Sequence, residues 1–113
     1  MRALTYLTSV AFACAVLLMT SSTQAQDAQV ERGRGLAEDK CARCHAVGPV
    51  GKSIEPTATP FRVFMQLYRV EEGEEALEET LREAIKSAHP DPKLQLSQAE
   101  IDDLIAYLGS LAH

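Results

Sequence analysis

The sequence predicts an all-α domain, and three observations predict it. Apolar residues recur at spacings of three and four in the middle and final segments, a serine-led capping box precedes the last segment, and no stretch alternates apolar with polar residues as a half-buried strand does. The 113 residues, 46% hydrophobic and 24% charged, suit one small globular domain and leave no room for two.

The elements follow in order. Met1 and Arg2 lead an apolar run to Met19, and SSTQA follows it. A short basic start, an apolar middle and small residues before a cut describe a secretory signal. Thr23 and Ala25 set the cut after Ala25, so residues 1–25 are expected to be a signal peptide and residues 26–113 the domain. The alternative is an uncleaved anchor, because the run is only a little shorter than the roughly 20 residues a spanning helix needs. After cleavage no stable membrane insertion is expected. Cys14 lies inside the run and reads as apolar filler. Arg2 leaves with the signal, so the mature chain is one unit more negative than the −5 of the whole. That acidity argues against nucleic acid and for a protein partner that presents a basic patch.

VERGRGLAEDK (30–40) reads as a short helix with Val30, Leu36 and Ala37 on one face, although Gly33 and Gly35 each cost about 1 kcal/mol against Ala inside a helix. AVGPVGKSIEPTATP (46–60) reads as loop. FRVFMQLYR (61–69) follows Pro60 with Phe61, Phe64, Met65 and Tyr68 on one side. GEEALEETLREAIKSA (73–88) carries the stripe Ala76, Leu77, Leu81, Ala84, Ile85 and Ala88, with its glutamates on a solvated face. Pro90 ends that helix at His89. Ser97 and Glu100 form the capping box ahead of IDDLIAYLGSLA, whose Ile101, Leu104, Ile105, Leu108 and Leu111 share a face.

The cluster CARCH, at residues 41–45, carries the chemistry. After the signal only four aromatics remain (Phe61, Phe64, Tyr68, Tyr107), and so thin a core leans on a disulfide, a metal or a cofactor. A disulfide between Cys41 and Cys44 would close a trivial loop and add little. A thioredoxin-type redox pair needs a sheet that this sequence lacks. Zinc needs two further ligands, and a histidine directly after Cys44 is badly placed to share a tetrahedron with both thiolates. Covalent attachment of one haem c uses all the fixed positions: Cys41 and Cys44 bond the two vinyl groups, and His45 falls beneath the iron as the proximal axial ligand. In bacteria that attachment is completed outside the cytoplasm, so a signal peptide and a periplasmic location go with it.

On these residues the chain resembles the class I c-type cytochromes over essentially the whole of residues 26–113. The front helix with Gly33, the CARCH cluster and the terminal DLIAYL (103–108) look like that family's paired first and last helices, which cross closely at a glycine. The resemblance implies a cytochrome c fold of four or five helices around one covalently attached haem, with Tyr107 and Leu104 packed across Gly33. It also implies a loop methionine as second axial ligand, and here the pattern departs. The family's GHPDMP-like loop reads AHPDPKLQLS, one residue short where methionine would stand. Four candidates for the sixth position remain: His89, at the end of the helix that delivers the loop; Met65, the sole thioether after the signal; Lys93, whose amine must first lose a proton; and an open position behind Leu94 and Leu96. His113, the terminal residue, is expected to face solvent.

The expected function is a monohaem electron carrier, free or as a subunit of a periplasmic redox chain, and not an enzyme in its own right. The alternative is a five-coordinate haem sensor or binder of small gaseous ligands.

Overall fold

In this computed structural model the described residues are 22–67 and 74–112. Most of the expected signal, Tyr68 and His113 lie outside them. Four α-helices follow in order: α1 (22–40), α2 (Phe61–Leu67), α3 (Glu74–Ala88) and α4 (Gln98–Ser110), with a 3-10 turn at Pro92–Leu94. Among the described residues there is no strand, as the spacing predicts.

Helix α1 starts well before the predicted Val30. Gln24, Ala25, Gln26, Ala28 and Gln29 are all good helix formers, and no glycine or proline interrupts them. The expected cut after Ala25 falls inside this helical stretch. Residues 22–28 are exposed, and burial begins only where α1 meets the rest of the domain.

Helix α4 is the centre of the core. Ile101, Leu104, Ile105, Tyr107 and Leu108 are buried on it, joined by Ala37 from α1, Met65 from α2 and Leu81 from α3. Both α2 and α3 pack against α4. Its start is fixed by the predicted capping box: the Ser97 hydroxyl accepts from the Glu100 amide, and the Glu100 carboxylate accepts from the Ser97 amide at 2.8 Å. Two of the four amides that a helix start leaves unpaired are thereby satisfied. Arg82 of α3 donates to Glu78 at 3.0 Å and to Gln98, which stitches α3 to the first turn of α4. The other face of α3 presents Glu75, Glu79 and Glu83 to solvent.

The crossing of α1 and α4 explains one glycine and not the other. A Cβ built on Gly33 would stand 2.0 Å from the Asp103 carbonyl oxygen and 2.8 Å from Tyr107 Cβ. Tyr107 packs there as expected, and the other close neighbour is the Asp103 backbone where the sequence pointed to Leu104. A built Cβ on Gly35 meets nothing within 4 Å, so no close approach offsets its cost. Arg32 grips both carboxylate oxygens of Asp103 at 3.0 Å beside the crossing, a two-pronged pair that fixes the register of the helices. Lys40 reaches Glu100 at 3.3 Å farther along.

Candidate metal centre

The CARCH cluster continues the last turn of α1. The Cys41 amide donates to the Ala37 carbonyl at 2.9 Å, and the Cys44 and His45 amides both return to the Cys41 carbonyl, at 3.1 and 2.9 Å. Positions three and four apart on such a turn share a face, so Cys41, Cys44 and His45 line up together. The two cysteines are not bonded to each other, and Cys44 is the more exposed. Burial pushes the Cys41 thiol above its ordinary pKa, against the pull of Lys40. A redox couple or a thiolate metal site works by the opposite shift. Among the described residues no three His, Cys, Asp or Glu side chains gather as a metal cluster, so zinc has no ligand set here.

The loop 46–60 folds back around the turn instead of hanging free. The Glu55 amide donates to the Cys44 carbonyl at 3.1 Å, the Ala46 amide to the Ser53 hydroxyl at 3.0 Å, and the Phe61 amide to the Ala46 carbonyl at 3.0 Å. Its far end fixes the imidazole: His45 Nδ1 lies 2.7 Å from the Thr59 carbonyl oxygen. A carbonyl can only accept, so Nδ1 carries the proton, and in the neutral ring Nε2 is the nitrogen with the lone pair. Metal-binding histidines are oriented by this kind of bond. Tyr107 anchors the near end by donating to the Val47 carbonyl at 2.7 Å.

Phe61, at the start of α2, stands with its ring centre 5.5 Å from that of His45. Its neighbour Arg62 donates Nη2 to the Gly51 carbonyl at 2.7 Å, while Nη1 is buried with no partner. His89 also approaches, with its ring centre 5.9 Å from that of His45. Its Nδ1 is likewise buried without a partner. These two unpaired nitrogens, one cationic and one imidazole, are both borne by residues that neighbour the His45 ring or its loop.

Met65 is 7% exposed within the core cluster on α2, a filler position. Lys93 is exposed on the 3-10 turn. Leu94 and Leu96 are half-buried, and only Leu96 packs against the core cluster.

Residues 28–108 match the family described as cytochrome c oxidase, cbb3-type, subunit III. The match spans more than half of the chain. The chain belongs to this family. No curated protein and no solved structure matches it.

Membership in the cbb3-type subunit III family makes residues 28–108 a c-type cytochrome domain. Such a domain carries covalent haem c, transfers electrons through its iron, and meets redox partners. The all-helical architecture agrees with a cytochrome c fold. The structure suits the group on its own terms as well. A cysteine pair and a proton-fixed imidazole share one turn, and the unpaired Arg62 nitrogen suits a carboxylate such as a porphyrin propionate. No helix among the described residues is long and apolar enough to cross a membrane.

Arg62, Thr59 and Gln95, which donates to the His89 carbonyl at 2.7 Å, are site residues that sequence reasoning missed. Arg62 alone had a signal, as a cation at the start of an otherwise apolar helix beside the attachment loop. Thr59 acts through its backbone oxygen and leaves no trace in residue type.

Proposed function

We propose that this protein is a monohaem cytochrome c exported to the periplasm, where it carries electrons either free or as a subunit of a redox chain. Cys41 and Cys44 would hold the haem through two thioether links, and His45 would bind its iron through Nε2. The observation that carries this reading is the 2.7 Å contact of His45 Nδ1 with the Thr59 carbonyl, on the same turn as both cysteines. It sets the tautomer and the ring plane, as hydrogen bonds to metal-binding histidines do. Iron bound there supplies a one-electron couple.

The protein's own groups do the rest. The Phe61 ring, 5.5 Å centre to centre from the imidazole, would shield one flank of it from water. Arg62 offers its unpaired Nη1 to a propionate. The glutamates exposed on α3, in a chain of net charge −5, favour transient partners with a basic patch, through contacts that salt screens. Residues 1–25 act as the export signal.

A second reading, a binder of carbon monoxide or nitric oxide, is favoured by the loop 89–96, which contains no methionine. Optical spectra of the purified protein, matured in a bacterium that attaches haem c, separate the two. A carrier gives a low-spin ferrous spectrum that carbon monoxide leaves unchanged and cycles reversibly between oxidation states. Rapid uptake of the gas would refute the carrier.

A further inference from the structure

We propose that His89 is the second axial ligand, so that the iron lies between two imidazoles, those of His45 and His89. This deepens the cytochrome reading above and rests on it. Two imidazoles bound on opposite sides of one metal ion, each through a bond of about 2 Å, have ring centres roughly 6 Å apart. The observed separation is 5.9 Å. The 46° between the ring planes is no obstacle, because each ring can turn about its own bond to the metal.

Two further observations point the same way. First, the ring is incomplete as it stands. A neutral imidazole has one nitrogen that donates and one that accepts, and leaving either buried without a partner is unfavourable. His89 Nδ1 is in that position, whereas His45 Nδ1 is satisfied by Thr59. A metal bond at Nδ1 would supply the missing partner, and no hydrogen bond does so among the described residues. Second, the backbone of His89 is held on both sides. Its amide donates to the Ile85 carbonyl at 3.0 Å, and its carbonyl accepts from Gln95 Nε2 at 2.7 Å. Pro90 stiffens the exit, and Asp91 caps the 3-10 turn that follows, through the Lys93 amide at 2.9 Å. A side chain mounted on a clamped backbone keeps its place through an oxidation cycle, as a permanent ligand must.

The competitors fit less well. Met65 is committed to the core, and freeing it would empty a place in the buried cluster. Lys93 is exposed and charged, and binding would require it to lose both water and a proton.

The test uses the full chain matured with its haem, grown with histidine labelled at the ring nitrogens and carrying His113→Ala so that only His45 and His89 can report. Electron–nuclear resonance on the ferric protein should detect two coupled imidazoles, and one alone would overturn the proposal. Optical spectra give a second, independent readout. His89→Ala should convert low-spin iron to high-spin and admit carbon monoxide, and added imidazole should restore the low-spin spectrum. His89→Met should stay low-spin with a raised midpoint potential, since a thioether favours the ferrous state. Lys93→Ala and Met65→Leu should leave the spectrum as in the parent; a spin change in either, or an unchanged spectrum in His89→Ala, contradicts the assignment. If His89→Ala does not mature, the labelled parent protein decides alone. Failure of the cytochrome reading itself would look different: a product with no covalent haem to examine.

Discussion

Tyr107 donates its hydroxyl proton to the Val47 carbonyl at 2.7 Å, so the helix that fills the core also holds the loop that reaches the imidazole of His45. Tyr107→Phe keeps the ring against Gly33 and removes only this bond. The expected loss is about 1 kcal/mol, read by urea unfolding. The difference between parent and variant should also depend on pH. Burial, helped by Glu38, raises the phenol above its ordinary pKa. The unfolded chain therefore releases this proton first, so stability is intact below the ordinary tyrosine range and falls as pH rises through the raised value. Tyr107→Phe should lack that alkaline contribution.

Gly33 and Gly35 make a paired experiment with opposite signs. At Gly33 a methyl group meets the Asp103 backbone, which cannot swing away as a flexible side chain can, so Gly33→Ala should lose about 1–3 kcal/mol, the usual range for overpacking. At Gly35 it meets open space inside a helix, so Gly35→Ala should gain about 0.5–1 kcal/mol. Thermal unfolding of both variants checks the pair.

Glu100 should govern part of the acid limb. The Ser97 amide first, then the Ser97 hydroxyl and Lys40, hold its carboxyl below the ordinary carboxylate range. The unfolded chain takes up the proton first as pH falls, so this contribution is present above the ordinary range and is lost as pH drops through the depressed value. Glu100→Gln retains an acceptor for the Ser97 amide but carries no charge, so it should be somewhat less stable than the parent at neutral pH, with the difference closing as pH falls. Ser97→Ala, which removes the cap itself, should cost about 1 kcal/mol at every pH.

Arg62→Gln tests the propionate contact. Loss of a cation near the iron favours the ferric state, so the midpoint potential should fall while haem attachment and the low-spin spectrum persist. An unchanged potential would remove Arg62 from the site.

The helices were legible because their signals are local. The Ser97 and Glu100 box, the stripe of α4 and the Pro90 stop each depend on residues a few positions apart, and each is found where the sequence put it. The Gly33 crossing was legible through resemblance, since its partner lies far along the chain. What escaped notice depends on tertiary geometry. The carbonyls of Thr59 and Val47 belong to no residue type, and the approach of His89 to His45 depends on how α3 and the turn of α1 come together. The early start of α1 is not legible because residues 22–25, STQA, serve equally well as a signal exit and as a helix.

The account depends on two carbon–sulfur bonds, and the most direct measurement is the mass of the exported, denatured protein. One haem should remain on the unfolded chain, with neither Cys41 nor Cys44 open to a thiol reagent, and Cys44→Ser should leave a single link. An exported chain with no added mass, its two sulfurs reactive or joined to each other, would contradict it.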